Sequence, residues 1–550
     1  MTIINKERLK SLLKKLEVPQ DNDVSTQSNW INRDLAPIPP ERRTWGAWNY
    51  VAFWISDCLN VNTFMIGGSF IALGCSWWQA LVVVAIGYGL SAVVLVVNGR
   101  VGAMYHIGFS VFTRASFGMY GALIPILNRI LLGVIWYGVQ AWIGGQCVYQ
   151  MLRAIAPSID TLPNSLPAGA GTETKNFLCF FLFSLLSCVA IWFPVEKIRH
   201  LFTAKSILVP IAAIALFVWA VVNVHGLGPM THQPSTFKSS EDMAWGIIAS
   251  IISCFGNMAA LIVNQPDFAR YSVKPRDIIY SQLITLPLGF FFTSFIGIVV
   301  TSASQTLYGE ALWNPIDLLG KMDNRPAVFF LAFAFAFATL GTNLAANSIP
   351  VGADLAAVFP KYINMRRGGY VAAAIGFCIT PWNLLSGAQT FLNFLTGYTV
   401  FLSPITGVLI ADYYVVKKGH YAVEDLYDPA GIYWYKYGIN WRAYAAYIGG
   451  IVPNLPGFVG AMGHPSPPGA DKIFNLAWPI GFALGALIYL ACNFFFPCTW
   501  IIAEREKEIV MDPSAYDKEK TEQLPPSISS VSSPNRRQAR SIYSENGSIV

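Results

Sequence analysis

An aromatic side chain and an amide share one helical face in the third apolar stretch of the chain. Trp136 and Gln140 are four residues apart within Trp136-Tyr137-Gly138-Val139-Gln140, and residues four apart lie on the same side of an α-helix. A flat ring can stack on the indole, while the amide offers a donor and an acceptor to ring NH and C=O groups. The pair predicts a site for a flat, polar heterocycle. Taken singly, each residue would be a packing or helix-to-helix contact.

Two further apolar stretches are interrupted by small and polar residues near their middle. The first runs from Asp57 to Met65 and on to two glycines, and the sixth contains Cys254-Phe255-Gly256-Asn257-Met258. Polar groups and broken backbone are tolerated at membrane depth only where they face protein or a water-filled cavity. We therefore predict that both helices unwind there and expose backbone to a bound solute. The candidate binding residues of these stretches are Asn60, Met65, Gly256, Asn257 and Met258.

Unwound segments in two corresponding helices, one in each half of a chain, are typical of transporters built from inverted repeats. The first to fifth and the sixth to tenth stretches would then form the two repeats. Alternatively, the glycines and asparagines only permit close helix packing, as small and polar residues often do in membranes. The sequence leaves both interpretations open.

The eighth and fifth stretches carry one more polar candidate each. Asn347, in Thr342-Asn343-Leu344-Ala345-Ala346-Asn347, is the amide predicted to face Gln140 across a central cavity. Lys205 enters the fifth stretch within Phe202-Thr203-Ala204-Lys205-Ser206. Its ammonium either extends to the membrane surface or reaches a substrate pathway, and the sequence does not separate these interpretations.

Three carboxylates, Asp57, Asp267 and Asp354, are the candidates for coupling transport to an ion gradient, which would be a proton gradient if they titrate. Coupling requires a group whose protonation differs between the outward-facing and inward-facing states. For Asp267 and Asp354, which lie nearer helix ends, a structural role is the alternative. No GxxxxGKS or GxGxxG loop supports ATP-driven pumping, and the six histidines lack HExxH spacing. Neither an enzyme nor a cofactor or metal site is expected, and an ion gradient remains as the energy source.

The elements that must position these residues are membrane helices. Of the 550 residues, 54% are hydrophobic and 12% are charged, against about 25% charged residues in soluble domains. About twelve runs are long enough to cross about 30 Å of hydrocarbon, which predicts an all-α integral membrane protein surrounded by lipid, with no sign of a nucleic-acid partner. The predicted spans are 48–70, 76–98, 122–151, 175–194, 203–224, 243–265, 280–303, 327–352, 369–388, 391–413, 440–460 and 473–497.

Charge placement predicts how the chain is oriented. Lys and Arg concentrate before the first span and in alternate loops, and such residues favour the cytoplasmic side. Both termini are therefore predicted to be cytoplasmic, with an N-terminal segment at 1–45 and a transporter domain at 46–500. Residues 501–550 are rich in Ser, Pro and Lys and form a predicted disordered tail.

Several motifs, in order along about residues 30–500, resemble the nucleobase-cation-symport-1 family, in particular its fungal uracil, allantoin and uridine permeases. The resemblance implies a five-plus-five inverted-repeat (LeuT-like) fold with two additional C-terminal helices and proton-coupled uptake through the plasma membrane. The motifs are Asn32–Leu35, Arg42–Trp45, Asp57–Thr63, Arg100–His106, Trp136–Trp142, Lys197–Thr203, Asn264–Phe268, Gly341–Asp354, Pro381–Leu384 and Gly438–Arg442.

The resemblance also assigns roles to individual positions. Trp136 matches the stacking aromatic, and Gln140 and Asn347 match the amide pair of the family. Phe394 is similar to a gate residue in the tenth helix, and Lys205 matches a lysine implicated in substrate recognition. Asp354 matches a carboxylate associated with function.

The substrate remains open at this stage. Met65 stands where several uracil and allantoin permeases have Gln, so the expected pocket lacks one amide, which suits a larger ligand or one with fewer polar atoms. Uracil, allantoin and uric acid are the expected purine-like or pyrimidine-like substrates. Uridine, a thiamine-like or pyridoxine-like vitamin, and a non-transporting nutrient receptor are alternatives. An amino-acid permease of the same architecture would lack the flat-ring pair.

The two termini suggest regulation. In this family, lysines in such tails suit ubiquitin-driven endocytosis, which would make ubiquitin-ligase machinery a partner. Lys507, Lys518 and Lys520 are the acceptor candidates. A plain solvated linker is the alternative.

Overall fold

A computed structural model describes residues 14, 17–18, 30–31, 34–193 and 195–499. The chain divides into two compact units, Met1–Pro497 and Cys498–Val550, and all helices given below belong to the first. The predicted tail at 501–550, with Lys507, Lys518 and Lys520, lies outside the described residues. So do most of the predicted N-terminal segment and its motif residues Asn32 and Arg33.

The described part of the first unit is mostly helical, and its connections range from short turns to the long stretches between Ile155 and Thr174 and between Ala411 and Trp441. The helices are α1 (Ala47–Cys58), α2 (Val61–Ala72), α3 (Trp77–Tyr105), α4 (Phe109–Phe117), α5 (Leu123–Ile155), α6 (Thr174–Trp192), α7 (Val195–Asn223), α8 (Gly228–Thr231), α9 (Ser240–Ala269), α10 (Ile279–Tyr308), α11 (Pro315–Leu319), α12 (Arg325–Thr342), α13 (Ile349–Val358), α14 (Met365–Cys378), α15 (Ala388–Gly397), α16 (Thr399–Ala411), α17 (Trp441–Ile451), α18 (Leu455–Ala461), α19 (Ala470–Phe474) and α20 (Ala477–Phe495).

Each of the twelve predicted spans contains a helix in the structure. Within the described residues, nine segments are long and apolar enough to cross a membrane. The remaining three are the first span, which is divided between α1 and α2, the ninth (α14), and the eleventh, divided between α17 and α18. The eighth span is α12 with α13, and the tenth is α15 with α16. Helix α14 of the ninth span ends at Cys378, about ten residues before the predicted end of that span, because Thr380 is left-handed (φ 51°) and Pro381 follows it.

The predicted break in the first span is confirmed. Two residues, Leu59 and Asn60, separate α1 from α2. The Asn60 side-chain oxygen accepts a 2.8 Å hydrogen bond from the Thr63 backbone N–H, and its amide nitrogen donates to the Asp57 carbonyl at 2.5 Å. Asn60 therefore satisfies the backbone groups that the break would leave unpaired in the membrane interior.

The predicted break in the sixth span is wrong. Helix α9 runs unbroken from Ser240 to Ala269 through Gly256. A β-carbon at Gly256 would overlap with the backbone carbonyl of Leu395. The absent side chain permits a close approach between α9 and α15, so the packing interpretation of this glycine is the correct one.

Irregular backbone lies instead in the eighth and tenth spans. Asn343–Ser348 form a π-helical turn between α12 and α13. Asp412–Val416 form another at the end of α16. Such turns insert an extra residue and often occur at functional sites, because they redirect the neighbouring side chains.

The helix contacts follow the order of an inverted repeat. The first, second, sixth and seventh spans pack on one another, and the third, fourth, eighth and ninth spans form a second group. Helix α7 contacts the seventh and eighth spans, so it links the groups, and α20 packs on α16 and α17. Spans five places apart thus have equivalent neighbours, and the last two spans lie beside the tenth.

Candidate functional site

Three aromatic rings meet where the third and tenth spans face each other. The ring centroids of Trp136 and Phe394 are 5.4 Å apart, and those of Phe394 and Tyr398 are 5.2 Å apart. The Tyr398 hydroxyl donates a 2.5 Å hydrogen bond to the Gly256 carbonyl on α9. This aromatic cluster, Trp136, Phe394 and Tyr398, therefore joins the third, sixth and tenth spans.

The predicted amide beside the cluster has an unused acceptor. Gln140 is 3% exposed, and its side-chain oxygen has no hydrogen-bond partner. Leaving a buried acceptor unpaired costs about 1–3 kcal/mol. A solute that donates a hydrogen bond to Gln140 would recover that free energy.

The π-helical turn of the eighth span places a second amide, Asn347, close to the third span. Asn347 donates a 3.0 Å hydrogen bond to the side-chain oxygen of Asn343, and Asn343 donates a 3.2 Å bond to the Tyr137 carbonyl. Tyr137 is the neighbour of Trp136 in the chain. Asn347 is thus connected through Asn343 to the part of α5 that carries Trp136.

A third group of amides crosses from the first span to the sixth. Asn62 donates a 2.8 Å hydrogen bond to Asn257, which donates a 3.1 Å bond to the Tyr88 hydroxyl. The side-chain oxygen of Asn62 is buried and has no partner. Asn62 is therefore a second unused acceptor, which the sequence analysis did not select although it lies in the interrupted stretch.

The methionines predicted for the site lie in the protein interior. Met65 is 0% exposed and Met258 is 1% exposed. They belong to α2 and α9, close in sequence to Asn62 and Asn257. They supply apolar surface next to the amides.

Lys205 is directed into the helix bundle and not toward the membrane surface. Its side chain is 1% exposed, and its ammonium donates a 2.8 Å hydrogen bond to the Thr342 hydroxyl on α12. Helix α7, which carries Lys205, packs on α1, which carries the buried Asp57. Lys205 therefore occupies the region between the fifth, first and eighth spans.

Asp354 forms a buried ion pair with Arg129 of α5, with 1% and 3% of the side chains exposed. Arg129 also donates a 2.8 Å hydrogen bond to the Pro350 carbonyl and lies 5.8 Å from the centre of the Phe109 ring. Arg129 was not among the predicted residues, because no sequence pattern near Asp354 indicates a partner 225 residues away.

Asp267 lies at the first turn of α4. One carboxylate oxygen accepts a 2.8 Å hydrogen bond from the Phe109 backbone N–H, and the other is buried without a partner. A carboxylate is favourable there, because the N-terminus of a helix carries partial positive charge. The Asp267 charge also acts on Asp354. The two carboxylates thus belong to one charged region near α4.

The geometry separates the predicted residues into two sets. One set surrounds the aromatic cluster, where ring faces and unused amide acceptors suit a flat solute. The other contains the charged residues, which lie at helix ends or between spans. Asn60 stands apart, since its side chain is used in capping α2.

Comparisons with known proteins agree with this architecture. A family model for permeases for cytosine/purines, uracil, thiamine and allantoin matches residues 37–481. An uncharacterized permease of Schizosaccharomyces pombe is 49% identical over 85% of this chain and 80% of its own length. The allantoin permease of Saccharomyces cerevisiae is 41% identical over 86% of this chain and 77% of its own length, and the uridine permease of the same yeast is 40% identical over 87% and 77%.

A solved structure shares the fold. Mhp1, a nucleobase-cation-symport-1 family transporter, in a closed conformation with bromovinylhydantoin bound, superimposes with a TM-score of 0.68 at 23% identity. The match covers 86% of this chain and 96% of Mhp1. The five-plus-five repeat arrangement with two further helices is thus common to both chains.

Proposed function

This chain belongs to the family of permeases for cytosine/purines, uracil, thiamine and allantoin, and from its site we propose that it carries out proton-coupled uptake of a flat nucleobase-like heterocycle. The observation that carries the proposal is the unpaired Gln140 acceptor, one helical turn from the Trp136 ring. A ring on Trp136 would present its polar edge to that acceptor. Uracil, allantoin and uric acid are the substrates we propose.

The number of unused acceptors favours solutes with several N–H donors. Gln140 and Asn62 each hold a buried oxygen without a partner. Uracil, allantoin and uric acid each offer at least two N–H groups on a compact frame, whereas uridine offers one on its base and carries its other donors on a bulky, non-planar ribose. Thiamine carries a positive charge, which the buried Lys205 ammonium would repel. These differences place nucleobase-like solutes ahead of uridine and thiamine.

Movement of one helix group against the other would give access from alternate sides. The Trp136 side of the site belongs to the group of third, fourth, eighth and ninth spans, and the Asn62–Asn257 side belongs to the other group. Rocking between such groups around a fixed site is the usual mechanism of inverted-repeat transporters. Phe394 would control entry, because its ring packs at a tilt against Trp136, with the ring centroids 5.4 Å apart.

For proton coupling, the charges that lie between spans are better candidates than the paired ones. Lys205 reaches from the fifth span to Thr342 of the eighth, and its helix packs on the first span, which carries the buried Asp57. Relative movement of these spans would change the surroundings of both charges. Asp267 has one unpaired oxygen and is the next candidate. Asp354 is held by Arg129 within one helix group, which favours a structural role.

The remaining parts of the proposal concern location and partners. We place the chain in the plasma membrane with both termini in the cytoplasm, on the positions of Lys and Arg in the loops. The proton is the coupling ion, and membrane lipid surrounds the helices. Lys507, Lys518 and Lys520 would be acceptors for ubiquitin-ligase machinery, which Arg substitutions that block internalisation would test.

Competition for uptake tests the substrate class. Cells that lack their own permeases would express the full chain and take up radiolabelled uracil, with allantoin, uric acid, uridine or thiamine as competitors, with and without a protonophore. Saturable, protonophore-sensitive uptake that allantoin or uric acid reduces is the expected result. If surface-expressed protein takes up none of the three proposed substrates, the proposal fails. Uptake of uridine or thiamine alone would identify the alternative substrate.

A further inference from the structure

The spacing of Trp136 and Gln140 recurs six residues later on the same helix. Trp142 and Gln146 are also four residues apart. Six residues advance an α-helix by about 9 Å and turn it by about 240°. The second pair therefore points to another side of α5 and lies nearer the C-terminal end of that helix. In the predicted topology, that end lies on the side of the membrane opposite to the start of α1.

A cavity of about 580 Å³ lies against this second pair. Its volume falls within the range of about 300–1,000 Å³ that is usual for small-molecule sites. The Trp142 and Trp382 rings, with centroids 5.3 Å apart, both contribute to its wall. The lining residues used below are Trp142, Gln146, Thr172, Trp382, Asn383 and Ser386.

The polar groups of the lining are arranged around fixed aromatic faces. The Trp382 indole N–H is used in a 2.9 Å hydrogen bond to the Ala170 carbonyl, which holds the ring in place. The Thr172 hydroxyl oxygen is buried and has no partner. The side-chain oxygen of Gln146 accepts one long hydrogen bond of 3.4 Å, from the Asn314 amide. Ring faces, an unused hydroxyl and an amide are the groups that a flat, polar heterocycle needs.

The cavity is connected through the chain to the aromatic cluster. Trp382, Asn383 and Ser386 lie in the segment that joins α14 to α15. Helix α15 then carries Phe394, whose ring packs on Trp136. A solute in the cavity would touch the segment that leads directly into the helix covering the central ring site.

We propose that this cavity is a vestibular site that binds the same class of flat heterocycle before it reaches Trp136. The inference rests on the proposed function, because it takes the substrate class from there. Solute bound at the vestibular site would be concentrated beside the entrance to the central site. Helix α15 would then move while the vestibular site is occupied. The two sites would be separate, since Gln140 belongs to one and Gln146 to the other.

Protection of an introduced thiol tests the vestibular site. The full-length protein, purified in detergent, would carry Gln140→Leu to weaken the central site and Cys378→Ser to remove an exposed thiol. Asn383→Cys, or Ser386→Cys in a second variant, then supplies a thiol in the cavity wall. The rate of maleimide labelling would be measured with uracil, allantoin or uric acid as the probe.

Labelling of both thiols should slow by about tenfold at a probe concentration ten times the dissociation constant, because about one site in eleven is then free. The thiol introduced by Gln389→Cys is the control. Gln389 is exposed on α15 and lies outside the cavity lining, so its labelling should not change.

Two different results would refute the vestibular site and the proposed function. If the wild-type chain transports a probe that protects neither Asn383→Cys nor Ser386→Cys, the vestibular site is refuted and the proposed function stands. If the wild-type chain transports none of the probes, the proposed function is refuted, and the vestibular inference falls with it.

Discussion

Trp136 and Phe394 lie with ring centroids 5.4 Å apart and ring planes at 53°. The contact joins the third span to the first helix of the tenth. A heterocycle that stacks on the indole must share that face with the Phe394 ring, or displace it. The position of α15 therefore decides how much of the Trp136 ring is available.

Phe394→Ala should widen the range of solutes that compete for uptake. Removing the ring opens space beside Trp136, so bulkier N-alkylated rings should gain access. A substrate that displaces the Phe394 ring then no longer breaks an aromatic contact of about 0.5–1.5 kcal/mol, so affinity for the small substrate should rise by about 2-fold to 13-fold. Competition profiles with a radiolabelled substrate measure both effects. Phe330→Ala is the control, because Phe330 is 69% exposed on α12. An unchanged profile in Phe394→Ala would remove this residue from the entrance.

Gln140→Leu should weaken substrate binding without weakening the fold. The substitution keeps the approximate size of the side chain but removes the acceptor, which should raise the KM for uptake by about 5-fold to 150-fold, equivalent to about 1–3 kcal/mol. Thermal stability without substrate should not fall, since the acceptor has no partner there. The exposed amide of Gln389 provides the matched control, Gln389→Leu. Normal KM and selectivity in Gln140→Leu at full surface expression would contradict the proposed site.

Lys205→Met should remove the dependence of uptake on the proton gradient. If the ammonium and Asp57 take part in coupling, the wild-type chain should transport substrate faster at external pH 5 than at pH 7, because the larger proton gradient favours the loaded state. The variant should transport at the same rate at both pH values. Thr342→Val should have a smaller effect, because it removes one hydrogen bond to the charge and leaves the charge in place. Lys361→Gln is the control, since Lys361 is 52% exposed. Full pH stimulation in Lys205→Met would leave Asp267 as the stronger candidate.

Gly256→Ala should impair folding or transport severely. Its β-carbon would overlap with the Leu395 backbone carbonyl, so α9 and α15 would have to move apart, and their hydrogen bond through Tyr398 would be disturbed. Gly89→Ala is a matched control in α3, because a β-carbon there meets no neighbouring atom within 4 Å. Surface expression and uptake of both variants would be compared. Equal behaviour of the two would show that the close approach is not needed.

Removing one partner of the Arg129–Asp354 ion pair should cost more stability than removing both. A buried charge left alone typically costs about 3–5 kcal/mol, so Arg129→Gln or Asp354→Asn should lower the thermal unfolding temperature strongly, and the double variant should recover part of it. The exposed pair of Lys321 and Glu310, with 49% and 54% of the side chains exposed, is the control and should contribute at most about 1 kcal/mol. Additive losses in the double variant would argue against coupling between the two charges.

Several features of the fold could be predicted from local sequence. Runs of about 20 apolar residues have to cross the membrane as helices, and each predicted span contains a helix in the structure. The break at Asn60 was also predictable, because polar residues next to apolar ones disfavour a continuous helix at that depth. The face formed by Trp136 and Gln140 follows from helical geometry alone.

Other features depended on residues far apart in the chain. The same reasoning that succeeded at Asn60 failed at Gly256, because the glycine serves an approach to Leu395, which is distant in sequence. The direction of Lys205 was undecided until Thr342, 137 residues away, supplied a partner. Asn62 gained its importance only from Asn257 across the bundle.

Hydropathy and spacing by themselves thus determined a membrane protein of about twelve spans, with an aromatic ring and an amide on one face of the third. The tertiary structure decided which interruptions are breaks, which polar groups are paired, and which acceptors remain unused. The physical reason is that membrane insertion and helix periodicity depend on neighbouring residues, whereas buried polar groups must find partners wherever packing places them. The partners in the pairs Asn62–Asn257, Arg129–Asp354 and Lys205–Thr342 are more than 100 residues apart, so no local pattern specifies them.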